Sequence, residues 1–408
     1  MMPVRVRLLH LGGETDCRAE LRRFGMSPGE ITANAEAIVP RFGVLVKGLP
    51  PAAVERIRTE FTSQDGLVIL EPPLQETGAP QTLLLAGNAV LKRLSAWAGS
   101  QEHELTSFGS VLTRLLGHAG ARPDRLLGAG CELRLDRPRI MGILNVTPDS
   151  FSDGGRYNSL DAARRRAAAM AAEGADLIDI GGESTRPGAA PTDSEEELTR
   201  VLPVVEALRS DLDLPLSIDT TKSQVAQAAL QAGANFINDI SGLCNDSQIA
   251  SVVAEHDAGL FLMHMRGRPL DMQRDTGYQD LMGEICDFLD RGLIEAQRRG
   301  VGPEHLAIDP GIGFGKSPDG NLEILRRLSE LHGLGRPILL GTSRKSFIGR
   351  LLNQSDPGSR LYGSLASIAV GVANGGQIFR VHDVGPSREA ALVAWAICQS
   401  EGKPSSLS

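Results

Sequence analysis

Aromatic residues are scarce in this chain, with Phe, Tyr and Trp making up 4% of its 408 residues. It has no excess of base either: 42 Lys and Arg face 50 Asp and Glu, a formal net charge of −8. Binding a nucleic-acid backbone requires local basicity, so an acidic chain so poor in aromatics argues against that class of partner. A small basic pocket for one phosphorylated ligand is still compatible with it. Cysteines are few and scattered. Cys17, Cys131, Cys244, Cys286 and Cys398 form no CxxC pair and have no histidine at zinc-ligand spacing. They read as buried or inert thiols of a reducing compartment. Long apolar runs are missing as well, none approaching the ~18 residues of a membrane span. Arg5 and Arg7 stand near the N-terminus, but Leu8–Leu11 is too short and interrupted for the apolar region of a secretion signal. The expectation is a soluble, cytoplasmic protein with no nucleic-acid or membrane partner.

What is present is an ordinary globular composition, 41% hydrophobic and 23% charged, with enough chain for two domains or one large one. Residues 1–130 read as a small α/β or α+β domain with its linker. Phe42–Lys47, Leu67–Leu70 and Thr82–Leu85 have the look of short strands, and Pro51–Glu60, Asn88–Ala98 and Thr106–Leu116 of helices. Gly117–Gly130, rich in Gly and Arg and broken by Pro123, reads as the linker. No residue set here is recognisably catalytic; Glu102, His103 and Glu104 read as a solvated surface.

Residues 131–408 are periodic. Short apolar runs recur at Ile140–Asn145, Leu177–Gly181, Leu216–Asp219, Phe236–Ile240, Leu260–His264, Leu306–Asp309, Ile338–Gly341 and Ile378–His382. Between them lie amphipathic helical stretches such as Asp161–Glu173, Glu195–Arg209, Lys222–Ala232, Tyr278–Arg299 and Arg388–Ala396. Eight strand-then-helix units predict a (β/α)8 TIM barrel, for which ~250 residues is typical. A doubly wound open sheet is the alternative, and it differs only in strand order.

The C-terminal end of each run is polar: Asn145, Gly182-Glu183, Asp219, Asn238-Asp239, His264, Asp309, Arg344-Lys345, and Arg380 with His382. Polar groups are expensive to bury in strands, and in a barrel this is the face where catalysis occurs. Asp219 and Asp309 accept hydrogen bonds, while Asn238 both accepts and donates. That set suits a flat heterocycle with N–H, amino and ring-nitrogen groups, such as a pterin edge, with Lys345 facing its carbonyl. For the two aspartates, the alternative is that each caps the helix that follows it. Arg380 and His382, two residues apart, share a strand face and suit an anion. Asn145 supplies an oxygen of the kind Mg²⁺ prefers. Two loops, Thr147–Gly155 and Gly182–Gly188, have the hydroxyls and glycines of a lid. Gly311–Ser317 resembles a phosphate-binding glycine loop but fails its spacing, because Pro310 occupies the first glycine position. It reads instead as a turn that brings Phe314 toward the site.

Two stretches resemble the signatures of dihydropteroate synthases: Met141–Gly155 (MGILNVTPDSFSDGG) and Asp179–Gly188 (DIGGESTRPG). Ser217–Thr220, Ile237–Ile240, Leu262–Met265, Asp309–Gly311, Ser343–Ser346 and Arg380–Asp383 match further family motifs, so the resemblance runs from Ile140 to about Ala396. The family joins 6-hydroxymethyl-7,8-dihydropterin diphosphate to p-aminobenzoate, releasing diphosphate and 7,8-dihydropteroate for folate synthesis. The resemblance implies a pterin pocket of Asp219, Asn238, Asp309 and Lys345, with Met263 packed on the ring. It implies Mg²⁺ on Asn145, diphosphate on Arg380 and His382, and p-aminobenzoate framed by Thr185, Pro187, Phe314, Lys345 and Ser346. Phe151, Ser152 and Asp153 would close over it, and Asp219, Asp309, Lys345 and Asp153 would be the catalytic set. A homodimer through barrel helices is usual for the family. Two rival readings are a pterin-dependent methyltransferase on the same barrel and a catalytically silent pterin-binding scaffold. The complete Ser343–Ser346 motif and the full diphosphate-loop signature speak against the first, the full complement of polar groups against the second.

Overall fold

The structure is a computed structural model that describes residues 4–9, 21–22, 42–61, 66–71, 80–147, 156–185 and 188–399. The chain divides into two compact units, Met1–Arg122 with Ser329–Gly335, and Pro123–Leu328 with Arg336–Ser408.

In the first unit, strands β1 (Arg5–Leu9), β2 (Phe42–Lys47), β3 (Val68–Leu70) and β4 (Gln81–Ala86) form an antiparallel sheet of order β1-β2-β4-β3. Helices α1 (Pro51–Glu60), α2 (Asn88–Gly99) and α3 (Glu104–Gly120) complete it. The period of two along a strand assigns the faces. Val44 and Val46 join a core with Leu84, Ile57, Leu91 and Phe108, whereas Leu45 joins Leu9, Leu83 and Leu85 on the other side. The unit is therefore α+β. Its first strand escaped the sequence reading, which had weighed Leu8 and Leu9 only as part of a secretion signal; the two in fact point to opposite faces of the sheet.

The second unit opens with a hairpin, β5 (Arg125–Gly128) and β6 (Cys131–Arg134). This corrects the reading of Gly117–Gly130 as a linker: Gly117–Gly120 end α3, and Arg125–Gly128 are paired strand. Glycine and arginine hid an alternation in which Leu126 and Leu133 are the buried members. Gly128 has a positional reason, since a Cβ there would come 2.6 Å from the ring of Phe236.

Eight parallel strands follow: β7 (Arg139–Asn145), β8 (Leu177–Gly181), β9 (Leu216–Asp219), β10 (Phe236–Asp239), β11 (Gly259–Met263), β12 (Leu306–Asp309), β13 (Leu339–Leu340) and β14 (Ile378–Val381). Their order is β12-β11-β10-β9-β8-β7-β14-β13, and a parallel bridge between Ile308 and Ile338 joins the two ends into a closed barrel. The open-sheet alternative is thereby ruled out. Around it run α4 (Arg156–Ala172), α5 (Ser194–Asp211), α6 (Ser223–Gln231), α7 (Gln248–Glu255), α8 (Leu281–Arg298), α9 (Pro318–Arg326), α10 (Ser346–Leu352), α11 (Leu361–Ala373) and α12 (Val384–Gln399). Asp193, Asp280 and Ser317 cap α5, α8 and α9 by accepting backbone N–H bonds. No helix among the described residues is long and apolar enough to cross a membrane.

The hairpin fills the mouth at the strands' N-terminal ends. Leu126, Leu133 and Leu135 pack with Met141, Leu177, Phe236, Phe261, Ala307, Leu339 and Ile378. Each fully buried leucine there stabilises the fold by about 1.5–3 kcal/mol. With that mouth closed by apolar packing, a ligand has the opposite mouth to enter.

Candidate active site

Strands β8, β9, β10, β12 and β14 each carry a polar residue into the C-terminal mouth. Asp179, Asp219, Asn238 and Asp309 are buried, and Arg380 is partly so. The Arg380 guanidinium spans two carboxylates, with Nε 2.6 Å from Asp179 Oδ2 and Nη2 2.8 Å from Asp219 Oδ2. Asn238 Nδ2 donates to the same Asp179 oxygen at 3.1 Å. This leaves Asn238 Oδ1 and Asp179 Oδ1 as buried acceptors without a hydrogen-bond partner among the described residues. Asp179, the first residue of the Asp179–Gly188 motif, is not among the expected site residues. The available signal was a charged residue in the middle of an apolar strand, at 0% exposure.

Charge in this mouth is poorly solvated, and the ionisations show it. Burial pushes the Asp219 carboxyl up to about 7; Arg380 pulls against that, and Asp179, Glu197 and Asp239 add to it. Asp309 is also raised by burial, against the opposing pull of Lys345 and a 2.6 Å hydrogen bond from Gly311 N. Burial brings Lys345 down to about 8, with Asp309 opposing and Arg380 assisting. Burial works against the charge of Arg380, but Asp179 and Asp219 outweigh it and leave its pKa raised. His382 is lowered to about 4, by burial first and then by Arg380 and Arg344, so its imidazole is neutral near pH 7. Its Nδ1 lies 3.1 Å from Ser343 Oγ.

Neither Asp219 nor Asp309 is a helix cap. The residues preceding α6 and α9 are Lys222 and Ser317, which removes the capping alternative. Lys345 directs its Nζ to the Ile312 carbonyl and lies 4.3 Å from the centre of the Phe314 ring. Met263, opposite Asp309 in the β11–β12 register, forms an apolar cluster with Ile240, Met265 and Met272, against which Phe314 packs. Beside these groups lies a cavity of about 140 Å³, lined by Asp219, Thr220, Ile240, Met265, Thr185 and Pro269 among others. Asn145 ends β7, partly exposed, and a Cβ at Gly181 would be 3.6 Å from its Oδ1. Ser346, the first residue of α10, is exposed.

Three strand-end residues do structural work instead. Asp239 accepts bonds from the backbone N–H groups of Ser241 and Leu243 and so shapes a turn. Glu183 accepts from Thr192 N and, together with Glu197, binds Lys222. His264 packs edge-on against Phe288, ring centres 4.8 Å apart, with Lys316 at 2.7 Å from its Nδ1. Phe151, Ser152, Asp153 and Pro187 lie outside the described residues.

A sequence profile of a family described as "Pterin binding enzyme" matches residues 141–382. The chain is 50% identical over 261 residues to a dihydropteroate synthase of Synechocystis sp., covering 64% of this chain and 90% of the relative. It is 45% identical over 272 residues to the Escherichia coli K12 dihydropteroate synthase, covering 67% and 96%. Among solved structures, it matches the Yersinia pestis dihydropteroate synthase in a sulfonamide drug complex with a TM-score of 0.64 and 46% identity, covering 67% of this chain and 98% of the other. A Xanthomonas albilineans dihydropteroate synthase with 4-aminobenzoic acid matches equally well, at TM-score 0.64 and 45% identity, covering 68% and 98%.

Proposed function

The chain belongs to the pterin-binding enzyme family, among its dihydropteroate synthases, and from that premise we propose how its residues divide the reaction. The activity is that of a transferase of folate biosynthesis, joining a dihydropterin diphosphate to p-aminobenzoate with loss of diphosphate. One observation carries our reading. The carboxylates of Asp219 and Asp309 are buried in the same mouth as the unpartnered Asn238 Oδ1.

Buried acceptors without partners are costly unless a ligand supplies donors. The N–H and amino groups of a pterin edge meet that need at Asp219, Asn238 and Asp309. Lys345 faces the ring carbonyl, and Met263 packs on the ring. The dihydropterin's nitrogens delocalise positive charge onto its exocyclic CH₂, so its C–O bond breaks early. The two carboxylates stabilise that cation, an effect strengthened by the site's low polarisability. Arg380 holds Asp179 and Asp219 in place and, with neutral His382 beside it, donates to the departing diphosphate. The weakly basic aniline of p-aminobenzoate then attacks, framed by Thr185, Phe314, Lys345 and Ser346 together with Pro187. Asp153, with Phe151 and Ser152, closes the site. No enzyme nucleophile is required.

The donor set fits Mg²⁺. Mg²⁺ typically takes one or two protein oxygens and completes its shell with water and substrate phosphates. Asn145, partly exposed at the end of β7 with its Oδ1 facing Gly181, offers one such oxygen. When bound there, the ion would offset negative charge on the diphosphate.

We also place the enzyme in the cytoplasm as a homodimer. Cys131, Cys244 and Cys398 are free thiols, as a reducing compartment allows. Tyr362 and Val370 on α11, and Val393 and Ile397 on α12, are exposed and give neighbouring helices the apolar surface that a second copy would cover.

The test combines the two substrates with Mg²⁺ and assays for dihydropteroate. Wild-type protein should form it, and Asp309→Asn should lose at least about tenfold in pterin affinity, as expected when a charged hydrogen-bond acceptor is removed from a buried site. Retained affinity and rate in the variant would remove Asp309 from its role.

A further inference from the structure

The glycine run Gly311-Ile312-Gly313-Phe314-Gly315-Lys316 looks like a phosphate cradle, but its backbone groups are already engaged. Gly311 N donates to Asp309 Oδ1 at 2.6 Å, Gly313 N to Asn321 Oδ1 at 2.7 Å, and Phe314 N to Gly311 O at 3.1 Å. The carbonyls are equally committed. Ile312 O accepts from Lys345 Nζ, Gly313 O from Gln273 Nε2 at 2.9 Å, and Gly315 O from Tyr278 Oη at 2.8 Å. With the Gly311 and Gly313 N–H groups turned to side chains and that of Phe314 to a carbonyl, the loop does not present the row of free N–H groups with which a phosphate loop cradles an anion. Instead it fixes Asp309 and Lys345 and presents Phe314 beside them.

What secures this loop is a lysine that touches neither of those two side chains through a hydrogen bond. Lys316 is 2% exposed, and its Nζ lies 2.7 Å from His264 Nδ1 and 2.9 Å from His264 O. It ties the loop's last residue to the end of β11, the strand next to β12 and Asp309. The backbone fits closely around it. Gly311 has φ +69°, and a Cβ there would collide with the His264 carbonyl oxygen and come 3.0 Å from Lys316 Nζ. A buried lysine is rare unless its hydrogen-bonding needs are met, and here the His264 carbonyl accepts from it while His264 Nδ1 is its second polar neighbour.

We propose that Lys316 is a positioning residue for the pterin half of the reaction. Its buried Nζ pins the glycine loop against His264, and the loop in turn holds Asp309 and Lys345 at the spacing the pterin edge requires. The diphosphate half is built from Asn145 on β7, Arg380 on β14 and His382 after it; Arg380 bonds to Asp179 and Asp219 rather than to the loop. This rests on the proposed division between pterin and diphosphate sites, so the experiment measures the two sites separately.

Lys316→Met removes the donors at nearly constant length, and Lys316→Gln retains a neutral amide donor group in case the methionine variant does not fold. Calorimetry would measure binding of 6-hydroxymethylpterin and, separately, of inorganic diphosphate with Mg²⁺, with melting curves confirming the fold. Pterin affinity should fall about tenfold in Lys316→Met, and less in Lys316→Gln, since misplacing a preorganised group costs on this order. Diphosphate affinity should stay within about twofold of wild type, as expected for sites that share no partner. Unchanged pterin affinity in a folded variant would overturn the proposal, as would a parallel loss of both ligands. If wild-type protein bound neither probe, the reading of the site itself would fail, and the result would be distinct from either outcome in the variants.

Discussion

The two mouths of the barrel are formed by the same strands and filled in opposite ways. On β8 the inward positions run from Leu177 to Asp179, on β10 from Phe236 to Asn238, on β12 from Ala307 to Asp309, and on β14 from Ile378 to Arg380. A step of two residues, about 6.6 Å along a strand, replaces a dry hydrocarbon layer with a layer of paired and unpaired charge. The lower layer, sealed by the β5–β6 hairpin, contributes stability. The upper one buries carboxyls, and those of Asp219 and Asp309 have raised pKa values, so it costs stability and holds the chemistry. A barrel can carry such a costly layer because the other layer offsets it.

Changes to the two layers should therefore separate stability from turnover. The largest effect is expected from Arg380→Leu, which leaves Asp179 and Asp219 buried without their guanidinium partner. Breaking a buried pair from one side costs about 3–5 kcal/mol, and turnover should vanish with it. Chemical denaturation and the dihydropteroate assay would show both; a variant as stable as wild type would mean the carboxylates are relieved some other way. Leu126→Ala, in the plug, should cost about 2–4 kcal/mol as a cavity in a packed core. Its kcat and both KM values, measured well below its melting temperature, should stay within about twofold, the expectation for a site remote from the change. A selective rise in one KM would join the layers that the comparison separates.

The smallest effect, and the finest test, is the response to pH. With Asp219 raised to about 7 and Lys345 lowered to about 8, kcat/KM for the pterin diphosphate should fall as pH drops through about 7 and again as it rises above about 8. Stability should respond in the opposite sense on the acid side. The folded-state pKa of Asp219 lies above its unfolded value of about 3.9, so the folded protein binds the proton more tightly. The destabilising burden is present in full above about pH 7 and is relieved as pH falls toward about 4. Denaturation midpoints between those limits should show this group adding stability while activity declines, and Asp219→Asn should flatten that part of the profile. A wild-type acid limb in Asp219→Asn would assign the titration elsewhere.

Much of the upper layer was legible because polar residues at the ends of apolar runs break the hydrophobic pattern. Asp219, Asn238, Asp309, Lys345 and Arg380 stand out for that reason, and the structure brings all five to one mouth. Asp179 was harder to see, because it interrupts a strand one turn of the pleat earlier, where a polar residue looks like noise. The partners of Arg380 were not legible at all. Pairing across the barrel joins residues 161 and 201 positions apart, and the side chain that suits an anion equally suits two carboxylates. Asp239, His264 and Glu183 show the reverse limit: a polar residue at a strand end can serve a turn, a lysine or a helix as readily as a ligand. The β5–β6 hairpin was missed because its glycines suggested flexibility, whereas Gly128 is small to let the backbone approach Phe236.

The central claim is that buried carboxylates await a cation formed when the C–O bond breaks ahead of attack. Placing ¹⁸O at the bridge between the pterin CH₂ and the diphosphate tests it directly, with protein and Mg²⁺ present and p-aminobenzoate withheld. The label should migrate from the bridge into non-bridging positions of the recovered substrate, because the departed diphosphate rotates and recombines. A label that stays in the bridge, in protein that forms dihydropteroate once p-aminobenzoate is added, would contradict it.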